Sequence, residues 1–494
     1  MMYDIVILGG GPAGVTAALR ARELGARVAL VERDRLGGTC TNDGCVPTRA
    51  LAKAARLMRD SEQFSTYGLM LPERPRVDFA AVMRRTKDVV AEVHEKKQLA
   101  AHLQEIGISL YNAAGNTRFV DPHTLESAAH GRIAGERFVL CVGGHPRQLP
   151  FPGAELALTS STVWDLKQAP RSVAIIGGGA TGCQFGSVFE DFGATVTLLD
   201  IAPRILVTED DDVSAEIATQ FERRGIHMDT GIKAIERIDK RESADGAQPG
   251  YTLTYRDAND APRALDVDVV LASVGWPGNV DPLGLEAAGV ETNRSYVVVD
   301  DALRTTAKHI FAAGDITGRS MLVQSAGYQA RIAVENALLP YQQAARERLV
   351  PHGGFTDPEY GGVGLTEAAA RQSHDVVTAT IPYKALDRAV IDDRKVGFCK
   401  LVGDRRSSRV LGAHVVGEHA VEIVSMVSAG MTSGQTVQQL ADLELAYPTY
   451  IAIVGLAARQ IAREIGAIQV APEWLELKGL RGAEWERGSV TTEG

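Results

Sequence analysis

The chain has 494 residues, 45% of them hydrophobic, which is ample core for several domains; length alone suggests about three. A formal charge of −10 with no offsetting basic stretch argues against nucleic acid or an anionic membrane as a partner. No apolar run approaches the ~20 residues of a membrane span, and the start lacks a basic region ahead of an apolar one, so a cytoplasmic chain is expected.

In chain order, Asp4 to Leu8 read as a strand. Gly9-Gly10-Gly11-Pro12-Ala13-Gly14 and an alanine-rich helix follow, and Arg27 to Val31 return as a strand ending in Glu32. This is a complete strand-helix-strand nucleotide fingerprint. Gly9 allows the tight turn, Gly11 the approach of a pyrophosphate to the helix start, and Gly14 close packing of helix on strand; Glu32 would accept hydrogen bonds from the adenosine ribose.

Just downstream lies Gly37-Gly38-Thr39-Cys40-Thr41-Asn42-Asp43-Gly44-Cys45-Val46-Pro47-Thr48-Arg49. Five cysteines in a chain this long are too few for a disulfide scaffold, so the close pair Cys40 and Cys45 reads as redox-active or metal-binding. In a regular helix five steps of about 100° would set the two cysteines roughly 140° apart, too far for a disulfide, so the helix start must be distorted there; Gly37, Gly38 and Gly44 permit it. A thiol at a helix amino end has its thiolate favoured. Zinc is the rival reading, although it normally takes four ligands at other spacings. Two unrelated structural cysteines are the plain alternative. Residues from about 50 to 106 read as long helices serving as scaffold.

The nucleotide unit recurs: Val173 to Ile176, Gly177-Gly178-Gly179-Ala180-Thr181-Gly182, a helix through Phe192, and a strand from Thr195 ending in Asp200. In both copies the acid follows the first glycine by 23 positions, 9 to 32 and 177 to 200. One unit should hold a resident dinucleotide and the other a diffusible one. The cysteines follow the first, so the first is expected to carry a flavin. Asp200 favours NADH, because a carboxylate there repels a 2′-phosphate, while Arg204 nearby keeps NADPH possible. Asp239 to Gly250 reads as an exposed turn, and the polar tail from Ala471 to Gly494 receives no function.

Further motifs follow in order: Leu140-Cys141-Val142-Gly143-Gly144-His145-Pro146, Ala312-Ala313-Gly314-Asp315, and Phe355-Thr356-Asp357-Pro358-Glu359 with Val363-Gly364-Leu365-Thr366-Glu367. With the two fingerprints and the cysteine pair, the chain resembles the class I flavoprotein disulfide reductases over nearly its whole length. This is the family of dihydrolipoamide dehydrogenase, glutathione reductase and mercuric reductase. The resemblance implies an α/β chain of two Rossmann-like domains, for FAD and NAD(P), plus a carboxy-terminal α+β dimerisation domain. The expected division is 1–152 for FAD, 153–273 for NAD(P), 274–344 completing the FAD domain, and 345–494 for dimerisation with the polar tail. It implies a homodimer with shared active sites and a small-molecule acceptor. Hydride would pass from nicotinamide to flavin and on to a Cys40–Cys45 disulfide, Cys45 nearer the flavin and Cys40 meeting substrate. By the same resemblance the cofactor residues are Gly9, Gly11, Gly14, Glu32, Gly38, Thr39, Gly115, Gly143, Gly314 and Asp315 for FAD, and Gly177, Gly179, Gly182, Asp200 and Gly275 for the pyridine nucleotide. No resident metal is expected.

Three departures stand out. The family's His-Pro element near the end is here Ala446-Tyr447-Pro448-Thr449, the following glutamate is Ala452, and no histidine follows His419. Tyr447, with a reference pKa of ~10, can donate a proton but is a poor acceptor at neutral pH. Arg49 replaces a lysine and Gln184 the glutamate that pairs with it, so an uncompensated guanidinium facing an amide is expected. Gly275-Trp276-Pro277-Gly278-Asn279 replaces Gly-Arg-x-Pro-Asn without an evident reason. Loss of the imidazole is shared with mercuric reductases, so a mercuric-reductase-like function is expected, although no cysteine follows Cys399 to hand over metal. The alternatives are a dihydrolipoamide dehydrogenase, an NAD(P)H-dependent reductase of quinones or small oxidants, and a non-enzymatic redox-regulated flavoprotein subunit.

Overall fold

The computed structural model describes residues 2–73, 75–241, 250–346 and 349–471. Three five-stranded sheets carry the chain. The first is wholly parallel, in the order Ile310–Ala312, Phe138–Leu140, Ile5–Leu8, Val28–Val31, Ser109–Tyr111. Its central strands read Ile-Val-Ile-Leu and Val-Ala-Leu-Val and are buried on both faces, as a parallel sheet covered by helices requires. Helix α1 (Pro12–Glu23) leaves the carboxyl end of the strand Ile5–Leu8.

Two helices follow in place of one. The short α2 (Gly38–Asn42) carries Cys40, the chain breaks at Asp43 and Gly44, and α3 (Cys45–Asp60) begins on Cys45 itself. This is the expected distortion. Gly37 precedes α2 at φ 100°, a left-handed conformation that only glycine adopts without strain. After α3, a 3₁₀ turn and a loop lead to α4 (Phe79–Lys97) and α5 (Leu99–Glu105), so the expected helical scaffold is present with breaks near 61–78 and at Gln98.

The second sheet, also parallel, runs His227–Thr230, Thr195–Asp200, Ser172–Ile176, Val269–Ala272, Leu158–Thr159. Helices α6 (Ala180–Asp191) and α7 (Asp211–Arg223) belong to it. The expected turn at 239–250 differs in part: Asp239 to Arg241 are strand, paired with Gly250 to Thr252, and 242–249 lie outside the described residues.

The chain then returns to the first sheet through Ile310–Ala312, and α8 (Val323–Leu338) packs beside α1 in one apolar core. The third sheet is antiparallel: His352–Gly354, Tyr360–Gly364, Val410–Val416, Phe398–Asp404, Val376–Pro382. Its helices are α9 (Glu367–Ala370), α10 (Asp387–Ile391), α11 (Ala420–Thr432), α12 (Val437–Ala441) and α13 (Ala452–Glu464). Residues of α11, α12 and α13 share a large core with these strands. The polar tail after residue 471 lies outside the described residues. Among the described residues no helix is long and apolar enough to cross a membrane.

Candidate active site

The two fingerprints build the same local structure. A Cβ on Gly14 would sit 1.7 Å from the Gly9 carbonyl oxygen, and one on Gly182 would sit 1.8 Å from that of Gly177, so each helix rests directly on its turn. The middle glycines behave oppositely. A Cβ on Gly11 meets only Gly38 Cα at 3.6 Å, and one on Gly179 meets nothing within 4 Å. Neither α1 nor α6 has a side-chain cap or an acid in its first turn. Unpaired N–H groups, a positive dipole end and open space over a glycine are what a pyrophosphate needs. The acids are held alike as well. Glu32 accepts from the N–H of Gly10 at 2.6 Å and of Asp34 at 2.8 Å, and Asp200 from Gly178 at 2.6 Å and Ala202 at 2.7 Å.

Both sites open into one cleft of about 1560 Å³. Gly9, Gly11, Glu32, Gly38, Thr39, Gly115, Gly143, Gly275, Gly314, Asp315, Cys40 and Cys45 line it, and Gly179 and Gln184 form its second arm. Gly14, Gly177, Gly182 and Asp200 stand behind that lining. Gly314 donates its N–H to Gln329 Oε1 at 2.7 Å, which fixes the turn presenting Asp315. Burial pushes the Asp315 carboxyl up, and the Trp276 indole N–H, 3.0 Å from Oδ2, offsets part of that. The uninterpreted Trp276 is therefore the partner of Asp315. Asn279 anchors the same loop through the carbonyls of Val142 at 2.8 Å and Gly144 at 3.1 Å. An open cradle over the first fingerprint, a ribose-facing acid and an oriented carboxylate farther along the cleft fit FAD, and the second arm fits a pyridine nucleotide.

The two cysteine side chains meet each other. Cys40 shares a hydrogen bond with Cys45, which together with a backbone N–H at the start of α3 lowers the Cys45 pKa to about 7 against the opposing effect of burial. The same contact, with burial, pushes Cys40 far up. One electron-rich sulfur and one protonated sulfur result. The Trp164 indole donates to the Asp43 carbonyl at 2.9 Å and pins the break between α2 and α3.

Two expectations are corrected. Arg49 is not uncompensated, and its paired acid is Glu359. Its Nη1 lies 3.2 Å from Glu359 Oε1, and its guanidinium stacks 4.3 Å above the Phe355 ring. Gln184 instead accepts the Phe355 N–H at 3.2 Å and donates to the Ala180 carbonyl at 2.9 Å. The carboxylate comes from 310 residues away, beyond the reach of local pattern. Arg204, expected to soften the choice of cofactor, donates to the carbonyls of Leu206, Val207 and Glu209 and pairs with Asp211 at 2.7 Å. Tyr447 is 58% exposed, and its hydroxyl donates to Asp387 Oδ2 at 2.5 Å. Sequence reading missed Glu359, Asp387 and the partner of Trp276. The motif holding Glu359 was visible, but nothing in it named Arg49.

The fold and the cleft define a nucleotide-dependent redox protein with a paired-cysteine centre. The family model described as pyridine nucleotide-disulphide oxidoreductase matches residues 3–330, and that of the family's dimerisation domain matches 350–458. The chain belongs to this family and is an NAD(P)H-dependent flavoprotein disulfide oxidoreductase. It is 32% identical to a dihydrolipoyl dehydrogenase of Bacillus subtilis (strain 168), covering 92% of this chain and 97% of the relative. It is 31% identical to a mercuric reductase of Lysinibacillus sphaericus, covering 94% and 83%. Among solved structures it is similar to the HOCl-induced flavoprotein disulfide reductase RclA from Escherichia coli, with a TM-score of 0.82, 28% identity, and 93% and 100% coverage.

Proposed function

We propose that this chain is an NADH-dependent reductase that works as a homodimer and passes electrons through Cys40 and Cys45 to a thiophilic metal cation, with Hg(II) as the model acceptor. The observation that carries the choice of acceptor is the hydrogen bond from Tyr447 to Asp387. A phenol has one proton, and here it is given to a carboxylate. Such a group attracts a cation or accepts from a thiol. It is a poor donor to a departing thiolate, which is what reduction of an organic disulfide requires. Tyr447 would reach the partner's cysteines across the dimer, and its exposure, with that of Val390 and Ile391 on the short helix that carries its partner Asp387, suits a surface covered by a second copy.

FAD, when bound, supplies the group that accepts hydride from nicotinamide and returns the electron pair to the disulfide. The chain's own residues divide the rest. Asp315, oriented by Trp276, and Glu32 would hold the flavin's polar arms, with Gly11, Gly38, Thr39, Gly115 and Gly143 shaping its bed. Gly179 and Asp200 would seat NADH, and Arg204 is engaged by its own loop rather than offered to a 2′-phosphate. Cys45, ionised near neutral pH, would be the sulfur facing the flavin, and Cys40 would receive the metal. The functional division is 1–152, 153–273, 274–344 and 345–494, in a cytoplasmic protein. Mercuric reductases among the relatives and a Cu(II) complex described for the Escherichia coli structure support a metal acceptor.

The test is anaerobic NADH oxidation by the purified protein with Hg(II), Cu(II), lipoamide, glutathione disulfide or a quinone. Hg(II) should give the highest kcat/KM, Tyr447→Phe should lower it about tenfold, and Tyr447→His should gain lipoamide turnover. Higher turnover of lipoamide or quinone than of metal by the wild type would overturn the assignment.

A further inference from the structure

Arg49 and Gln184 converge on one residue. The Phe355 ring lies beneath the Arg49 guanidinium at 4.3 Å, and the Phe355 backbone N–H is held by Gln184 at 3.2 Å. Phe355 and Gln184 line the second arm of the cleft, whereas Arg49 and Glu359 stand behind the ring. The Glu359 side chain is 12% exposed against 53% for Arg49. The buried carboxylate is itself fixed by its surroundings, so it gives the half-exposed guanidinium a stationary partner that keeps it over the ring. Burial pushes the Glu359 carboxyl up, Arg49 pulls it down, and Glu422 on α11 is the other acid facing it.

We propose that Glu359 is the counter-ion of Arg49 and that the Arg49–Glu359 pair is a positioning unit, holding Phe355 as a fixed wall of the pyridine-nucleotide arm. The inference rests on the reading of that arm as the NADH site. Without the carboxylate, a half-exposed guanidinium swings toward water and the ring loses the cation that holds its upper face. Gln184 then restrains only the backbone of Phe355. The cost falls on nucleotide binding and leaves transfer from the reduced cysteines to the acceptor as it was.

The experiment measures NAD⁺ binding to the oxidised holoenzyme by calorimetry, together with KM for NADH and kcat. Glu359→Gln should weaken NAD⁺ binding about tenfold and raise KM for NADH with little change in kcat. Glu359→Gln combined with Gln184→Glu puts a carboxylate on the other side of Phe355 and should recover binding to within about threefold of wild type. Phe355→Leu should reproduce the loss and add nothing to Glu359→Gln. Should Glu359→Gln fail to fold, Arg49→Leu at the more exposed partner makes the same measurement. NAD⁺ binding within about twofold of wild type in either single variant, or no recovery on relocating the carboxylate, overturns the proposal. Failure of the wild type to bind NAD⁺ breaks the underlying assignment of the arm, and the wild-type titration reports that separately.

Discussion

The two nucleotide units are alike down to single hydrogen bonds, and they part company just after the second strand. In both, the following loop returns to the same carbonyl: the Gly37 N–H donates to Gly10 at 2.9 Å and the Leu206 N–H to Gly178 at 2.8 Å. Beyond that bond the first chain runs across the fingerprint as Gly38-Thr39-Cys40, bringing Gly38 Cα to 3.6 Å from where a Gly11 Cβ would stand. The second chain bends away, tied to itself by Arg204, and leaves Gly179 open. The first cradle is narrowed by a crossing segment and suits a resident cofactor, while the second has no such neighbour over its middle glycine and suits one that exchanges. A few residues after a shared motif thus decide between retention and turnover.

This contrast can be broken most severely at the third glycines. Gly14→Ala forces a methyl into a carbonyl oxygen and should yield protein without flavin, whereas Gly182→Ala should purify yellow yet resist reduction by NADH; the absorbance spectrum reads both. Next, Gly38→Ala places a Cβ 2.7 Å from Gly11 Cα at φ +59° and should lower flavin content, while Gly179→Ala, with room for a methyl, should raise KM for NADH by about tenfold at most. Trp276→Phe removes the donor to Asp315 and should cost about 1–2 kcal/mol, read as earlier thermal release of flavin. A smaller effect is a shift in pH dependence. The long-wavelength absorbance of a Cys45 thiolate beside oxidised flavin should be present above about pH 7 and fade below it, and Cys40→Ala should move that midpoint upward by removing the neighbouring thiol. The least change is expected from Arg204→Ala, which should leave the preference for NADH over NADPH as it is, since that guanidinium already serves the loop.

Much of this was legible in the chain because it is local. The fingerprints, their terminal acids and the break between Cys40 and Cys45 all follow from glycine spacing and helix geometry within about 25 residues. What escaped was long-range pairing. Gln184 without its acid suggested an unbalanced Arg49, but Glu359, in a segment read only as the start of the dimer domain, supplies the opposing charge. Ala452 in place of glutamate suggested a proton relay lost, whereas Asp387, on a separate short helix, takes up the Tyr447 hydroxyl. Trp276 had no evident reason until Asp315 stood opposite it. Each is a contact between segments whose approach only the folded chain determines.

The return of Ile310–Ala312 to the edge of the first sheet bears on how the molecule is made. That strand pairs with Phe138–Leu140, and α8 closes the core over α1, so the amino-terminal sheet stays one strand short while everything up to about residue 310 is being synthesised. The second sheet, complete between Leu158 and Ala272, can settle on the ribosome first. A nascent chain stalled between those points should carry a folded middle and an open amino-terminal part that cannot yet retain its flavin.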